Sequence, residues 1–330
     1  HTVSASSNGV FLDSTPPENH AATAVLVQDS AEVQLINGSY FLSSQSQLSM
    51  KWGGFQEKET RIVAYQLAVG VEGSPTSVRL PFSAGNVNGF TISGLNLVED
   101  VAYTVTIRAI NSVGLQSNVS IGPILVDSTP AACSVLDGRR MGSDLDFVAS
   151  YEASVQFDLS DTQSGISSAL WGVGRYPGGD DHIPFSTVSL SNTSPSTNRD
   201  ILLPTSEKFF NVLKVRNGAG LWTVCSSDGF IVDDTPPAVQ FAIDGTHGAD
   251  QIFTIPDQDF TFRFRSFDPQ APLVSVTAAL FYETEESGRI ISVEASPGHS
   301  LSTSATSGRI QRIKPVYTQE GRRFFVKLEL

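Results

Sequence analysis

Three stretches of this 330-residue chain align without gaps, and they constrain its fold more than any other feature. SSNGVFLDSTPP (Ser6–Pro17), SIGPILVDSTPA (Ser120–Ala131) and SSDGFIVDDTPP (Ser226–Pro237) place an aspartate at Asp13, Asp127 and Asp233, 114 and 106 residues apart. A second landmark keeps that register, because Asn111, Gly114 and Leu115 recur as Asn217, Gly220 and Leu221. Pro81-Phe82 and Pro184-Phe185 form a third pair. Periods of this length match a β-sandwich module of about 100 residues. Within each period apolar and polar residues alternate, as in Tyr103, Val105, Ile107 and Ala109, in Leu48, Met50 and Trp52, and in Tyr65, Leu67 and Val69. Period two marks half-buried strands, and Gly, Asn, Ser and Pro clusters punctuate them at turn spacing. No segment carries a helical apolar stripe with caps. The expected fold class is all-β, as tandem antiparallel β-sandwiches.

The first full repeat resembles a fibronectin type III domain, in the divergent form found in tandem on ectodomains of cell-surface and matrix proteins. Trp52 stands where that family keeps its core tryptophan, and Tyr65 belongs to the next strand. Leu97 precedes Tyr103 by six residues, which looks like the family's tyrosine corner, and Ala109, Asn111 and Gly114 match the motif after it. The second repeat keeps Leu203 six residues before Phe209, whose ring has no hydroxyl for a corner hydrogen bond. There Phe157 stands near the place of Trp52, and Trp171 on the next strand supplies the missing bulk. The third repeat shows Phe260, Phe262 and Phe264 as one strand and lacks the corner leucine. The resemblance implies fibronectin type III or immunoglobulin-like sandwiches in an elongated rod. Its sections are a last strand of a preceding or neighbouring repeat (1–17), a first repeat (18–130), a second (131–236) and a divergent third lacking its last strand (237–330).

The third repeat is expected to be open because Leu330 aligns with Val215 and His1 with Leu221 in the repeat register. Val10 and Leu12 then read as a last strand without its own domain. Three readings compete: excision from a longer tandem array, completion of one molecule's third repeat by Val10 and Leu12 of the next, or nicking of a loop. The expected partners are adjacent repeats of one long chain or identical subunits head to tail, with glycans or surface proteins as further possibilities. Prolines directly after the last strands fix φ and stiffen the junctions.

Cys133 lies just after the second junction and Cys225 at the start of a last strand, so the two are expected to meet as a disulfide; the alternative is two buried thiols. Sequons occur at Asn37, Asn118 and Asn192, where glycosylation is the expectation and plain polar loops the alternative. With 21 basic against 34 acidic residues the formal charge is −13, which disfavours nucleic acid and suits cations. A calcium site between modules would draw on Asp127, Asp233 and Asp234 with loop residues such as Asp158, Asp161 or Asp268; capping of the linker turns by those aspartates is the simpler reading, and otherwise no cofactor is expected. No nucleophile elbow, zincin helix, phosphate loop or zinc spacing is present, and Asp180-Asp181-His182 stands alone in a turn, as Glu285-Glu286 does at a hairpin tip. No RGD tripeptide occurs, and no apolar run is long enough for a membrane helix. The chain therefore reads as a non-catalytic structural and adhesive segment of an extracellular or cell-surface protein. Trp52, Tyr65, Tyr103, Trp171 and Phe209 would hold its cores. The alternative is a recognition ectodomain that uses exposed loop aromatics such as Tyr176 or Trp222.

Overall fold

Wherever the sequence alternates, the chain is extended and paired, and no α-helix occurs among the described residues. The computed structural model describes residues 3–140, 142–149, 151–190, 196–245, 250, 259–286, 289–310 and 323–330. Its packing divides into two units. One comprises His1–Asp144, Ser154–Asn198 and Phe209–Gly229, the other Leu145–Ala153, Arg199–Lys208 and Phe230–Leu330.

The first repeat contributes β1 (Thr23–Gln28), β2 (Ala31–Glu32), β3 (Leu35–Ile36), β4 (Ser39–Leu42), β5 (Gln47–Gly53), β6 (Ile62–Val71), β7 (Ser74–Gly85), β8 (Gly89–Ser93), β9 (Tyr103–Asn111) and β10 (Gln116–Val126). One sheet runs β2-β1-β5-β8 and the other β3-β4-β10-β9-β6-β7. The facing rows are the alternating residues of the sequence: Leu48, Met50 and Trp52 on β5 meet Tyr65, Leu67 and Val69 on β6 and the odd-numbered residues 103–109 of β9, and none of them is more than 6% exposed. Burying each large side chain contributes about 1.5 to 3 kcal/mol. Trp52 packs edge-on against Tyr65 with ring centroids 5.5 Å apart. The Tyr103 hydroxyl accepts the Val98 N–H at 2.9 Å, closing a tyrosine corner. β1, β5 and β8 facing β7, β6, β9 and β10 make an immunoglobulin-like sandwich of the fibronectin type III kind.

Two prolines sit where a sheet tolerates them. Pro81 lies on β7, which among the described residues pairs with β6 alone and so forms an edge of its sheet. Pro123 sits at the irregular step between Ile121 and Ile124, beyond which β10 runs parallel to β4.

The second repeat contributes β11 (Ala132–Asp137), β12 (Phe147–Val148), β13 (Glu152–Ser160), β14 (Ile166–Gly174), β15 (Ile183–Thr187), β16 (Ser196–Leu202), β17 (Lys208–Asn217), β18 (Trp222–Ser226) and β19 (Phe230–Val232). β11 pairs antiparallel with β13, β14 lies between β15 and β17, and β18 pairs with β17. Separately, β12 and β19 pair in parallel. Phe209 is fully buried, and so is Trp171 apart from 4% of its surface, with its Nε1 donating to Asn211 Oδ1 at 2.8 Å. Cys133 on β11 and Cys225 on β18 are joined as a disulfide, their Cα atoms 6.2 Å apart.

The third repeat contributes β20 (Ala238–Asp244), β21 (Phe260–Phe267), β22 (Val276–Glu286), β23 (Arg289–Leu301), β24 (Ser307–Ile310) and β25 (Phe324–Glu329). Its sheets run β20-β21-β24 and β23-β22-β25 around Phe260, Phe262, Phe264, Val276, Ala278 and Leu280. Glu285 and Glu286 end the β22–β23 hairpin, in pairs with Ile290 and Arg289. Among the described residues β25 pairs with β22 alone, and its core-facing Phe324, Val326 and Leu328 are only half-buried. At the other end of the sequence residues 3–17 form no strand, and Val10, Phe11 and Leu12 are 98%, 95% and 90% exposed.

Candidate functional site at the repeat junctions

The recurring aspartate, threonine and asparagine of the sequence repeats meet in space. Asn111 closes the β9–β10 turn: its N–H donates to Leu115 O at 3.0 Å and its Oδ1 accepts Leu115 N–H at 2.8 Å. Gly114 supplies the left-handed residue of that turn, with φ of 90°. This leaves Asn111 Nδ2 free to reach the linker, where it donates to Asp13 Oδ2 at 2.8 Å and to Thr15 O at 3.2 Å. In the second repeat Asn217 and Gly220 (φ 88°) build the same turn, and Asn217 Nδ2 donates to Asp127 Oδ2 and Thr129 O, both at 3.0 Å. Each linker aspartate also accepts the N–H of the threonine two residues on: Thr15 at 3.1 Å, Thr129 at 3.0 Å and Thr235 at 3.0 Å.

A third element completes each clamp and was not visible in the sequence landmarks. It is the loop between the second and third strands of the sandwich, where Glu57, Asp161 and Asp268 recur at spacings of 104 and 107 residues. Asp161 Oδ1 accepts the N–H groups of Gln163, Ser164 and Gly165 at 3.2, 2.9 and 2.8 Å. Glu57 Oε1 accepts those of Glu59 and Thr60, and Asp268 Oδ1 those of Gln270 and Ala271. In the first two clamps the hydroxyl three residues on then turns back to the linker, Thr60 to Asp13 at 2.7 Å and Ser164 to Asp127, a place held by Ala271 in the third. Asn217 Nδ2 also reaches Asp161 Oδ2 at 3.1 Å.

These bonds explain how Asp127 can be fully buried, with Asn217 1% exposed. A buried carboxylate is costly unless hydrogen bonds satisfy it, and Asp127 accepts from Thr129 N–H, Ser164 Oγ and Asn217 Nδ2. The residues between the clamps carry the fastening backward to the repeat before. Gln163 accepts from Thr129 Oγ1 at 2.7 Å and donates to Glu99 Oε2 at 3.2 Å, while Ser128 bonds Glu99 Oε1 through its N–H and hydroxyl. Hydrogen bonds from Ser128 and Gln163 hold the Glu99 carboxyl below its ordinary range. Gln28 adds a bond to Ala219 O at 2.7 Å. At the third linker Gln270 donates to Asp234 Oδ1 and Ser206 Oγ and accepts Asp234 N–H, while Tyr151 Oη donates to Asp234 Oδ2 at 2.8 Å. The Tyr151 bond holds Asp234 down and lifts Tyr151 above the usual phenol range.

Of the calcium candidates, Asp127 and Asp161 come together at Asn217 Nδ2. The oxygens of Asp127, Asp161 and Asp234 already face N–H or O–H donors, an arrangement that suits an anion and opposes a cation, and Asp233 Oδ1 and Asp268 Oδ1 bind backbone N–H groups. Asp158 lies exposed on β13. Carboxylates do gather at the first linker, where Asp13, Glu57 and Glu59 lie within 4.8 Å of one another, because Glu59 occupies the place of Gln163 and Gln270.

Other predicted residues are dispersed. Asn37 is exposed on a tight turn with φ of 49°, Asn118 is exposed on β10 with its Oδ1 bonded to Arg108 Nε, and Asn192 lies outside the described residues. In the Asp180-Asp181-His182 turn, Asp181 binds the Arg175 N–H and guanidinium, Asp180 accepts Phe185 N–H, and the His182 ring packs on Phe209 at 4.9 Å. Those contacts hold a turn together. Tyr176 and Trp222 are 58% and 46% exposed, and Arg216 lies over the Trp222 ring.

A second polar centre lies inside the second repeat. Asp137 is fully buried and accepts Asn211 Nδ2 at 2.7 Å and Gly229 N–H at 3.2 Å, with Asp144 and Asp228 within 4.8 Å. Desolvation, with the charges of Asp144 and Asp228 adding, pushes its carboxyl up to about 6 against hydrogen bonds from Ser227 and Asn211. A raised folded-state value means that the fold takes up a proton near pH 6, where the unfolded chain takes it up only near the ordinary aspartate value. Stability should accordingly rise as pH falls from 7 to about 4.5, by roughly 2 kcal/mol, and be lost as pH climbs through 6. Thermal midpoints across that range should show the trend, and Asp137→Asn should remove it; an unchanged slope in the variant would refute the assignment.

No family model and no curated protein matches the chain. Solved structures do show similarity. Fibronectin(III)-like modules of Clostridium thermocellum CbhA share 12% identity over 64% of this chain and 94% of theirs, with a TM-score of 0.41. The FN1–FN3 domains of chicken CNTN1 share 12% over 86% and 88%, at 0.29. A Ca2+-stabilized adhesin that helps an Antarctic bacterium reach out and bind ice shares 11% over 91% and 66%, at 0.33.

Proposed function

We propose that this chain is a load-bearing, non-catalytic segment of an extracellular or cell-surface adhesive protein, built from tandem sandwiches whose linkers are fastened rather than free. The observation that carries this reading is the repeated clamp. A linker that only tethered two binding modules would have no need to bury Asp127 or to spend both Asn111 and Asn217 on holding its backbone. The Cys133–Cys225 disulfide supports an oxidising compartment, and the exposed sequons Asn37 and Asn118 fit glycan attachment there. Antibody against the chain should label the surface of intact cells of its source, or its extracellular matrix; labelling only after permeabilisation would overturn the placement.

A second reading, recognition of a glycan or protein, is favoured by the exposed rings of Tyr176 and Trp222. If these rings bind, Trp222→Ala combined with Tyr176→Ala should lower capture on a glycan or surface-protein array at least tenfold without moving the melting temperature. Equal capture by the double variant and the parent would leave the load-bearing reading alone.

A further inference from the structure

The outward face of the second repeat gathers rings and cations that its core does not use. On β18, Thr223 Oγ1 donates to Ala131 O at 2.8 Å and Cys225 is tied to Cys133, so alternation sends Trp222, Val224 and Ser226 to the opposite side. Trp222 and Val224 are about half exposed, and their cross-strand partners on β17 are Arg216 and Lys214. At the far end of β18 the Tyr176 turn is docked by Gly178 N–H, which donates to Ser226 Oγ at 2.9 Å. The Tyr176 ring lies on Gly179, where a Cβ would stand 2.7 Å from it, and stays largely exposed. The two exposed rings thus bracket one strip, which from Trp222 to Ser226 runs about 13 Å along the strand. Its charge is opposite in sign to that of the chain. Arg216 lies over the Trp222 ring at 5.7 Å and Lys214 over the Phe185 ring at 5.5 Å. The Phe185 ring crosses the sheet at Gly172, where a Cβ would stand 3.1 Å from it. Among the described residues neither cation has a carboxylate partner, and Arg216 donates only from Nε, to Gly220 O at 3.4 Å.

We infer that this strip binds a uronate-bearing polysaccharide, with a sugar ring lying on Trp222 and its carboxylate meeting Arg216 and Lys214. The inference rests on the recognition reading of Tyr176 and Trp222 and names the class of its ligand. The negative face of an indole attracts the polarised C–H groups of a pyranose. A carboxylate accepts the free N–H groups of the guanidinium and ammonium in charge-assisted bonds, and cations two positions apart on a strand stand roughly 7 Å apart, within reach of one sugar. Charge density selects among polyanions. A chain with a formal charge of −13 repels nucleic acid or a heavily sulfated glycan by more than two cations offset. A polymer with a carboxylate on every second sugar brings little charge beyond what the strip neutralises.

The probe is hyaluronan, which carries uronate on alternate sugars and no sulfate. Immobilised hyaluronan should capture the full chain, and Lys214→Gln and Arg216→Gln should each weaken capture by about fivefold or more, Trp222→Ala by about tenfold or more. Lys51→Gln, which alters an exposed cation of the first repeat, should change nothing. Arg216→Gln also removes the bond to Gly220 O, so melting temperatures are read beside capture, and Lys214→Gln decides if the arginine variant melts early. Raising salt from about 0.05 to about 0.5 M should weaken the parent and leave the Lys214→Gln, Arg216→Gln double variant nearly flat. No capture on hyaluronan, capture undiminished in Lys214→Gln, or tighter capture on dextran, dextran sulfate or single-stranded DNA would overturn the inference. The recognition reading fails separately, because its array includes neutral glycans and proteins. Capture there that depends on Trp222 and not on Lys214 would keep recognition and discard the acidic ligand.

Discussion

Stretched between its ends, the chain is expected to release the contour length of its first repeat in one step and to withhold most of the second until a reductant is added. The Cys133–Cys225 bond closes a sequence separation of 92 residues. At about 3.3 to 3.6 Å per extended residue this shelters roughly 300 Å of chain from the load path. Single-molecule force extension should show that increment appear with dithiothreitol, and Cys133→Ser with Cys225→Ser should show it without. A parent chain whose extension steps are the same with and without dithiothreitol would mean that the bond is absent in the native protein. The physical reason for the effect is position: Cys133 sits on β11 and Cys225 on β18, near the entry and exit of the second repeat, so tension passes through the sulfurs. The same bond restricts the unfolded chain, a contribution of about 4 to 5 kcal/mol in the loop-entropy model.

Removing the clamp should cost nearly as much without removing any apolar core side chain. Asn217→Ala deletes bonds to Asp127, Asp161 and Thr129 O and leaves a fully buried carboxylate short of a donor. Stranding a buried charge costs about 2 to 4 kcal/mol, which for a domain of this size lowers the melting temperature by on the order of 10 °C or more. Asp127→Asn should cost less, because the amide can still accept from Thr129 while its own N–H groups clash with Asn217 on one side only. A double-mutant cycle between positions 127 and 217 should show a coupling of at least about 1 kcal/mol. If Asn217→Ala melts with the parent, the junction is not fastened through this asparagine.

Much of this architecture was legible because it is written locally. Alternation at Leu48, Met50 and Trp52 or at Phe260, Phe262 and Phe264 is a property of neighbours, and the sheets put those residues inward. The six-residue step from Leu97 to Tyr103 encodes a corner whose hydrogen bond spans only to Val98. The junction was half legible. Its linker and turn recur almost letter for letter, but that Asp13 touches Asn111 across 98 positions is a fact of topology. The third element stayed hidden because its residues vary in kind: Glu57, Asp161 and Asp268 do one job with two side-chain lengths, and Glu59 replaces the glutamine of its counterparts. Aspartates such as Asp127 and Asp161 suit calcium or turn capping alike in composition, which does not show the N–H and O–H donors that their oxygens meet. The Asp137 centre had one faint signal. The N–H of the buried Trp171 finds an acceptor in Asn211, the residue that also holds Asp137.

The clamps also redraw where one module stops and the next begins. Asp127 is continuous with the strand of the first repeat, yet its carboxylate bonds to the threonine of the linker and to Ser164 and Asn217 of the second. In energetic terms the linker belongs to the repeat on its carboxyl side. A fragment of the second repeat begun at Ala131 would leave Asn217 Nδ2 only Asp161 of its three acceptors, while one begun at Asp127 would carry its own keystone. By the same rule the loss of a folded second repeat would slacken the strand end of the first, so that damage in this array travels toward the amino terminus.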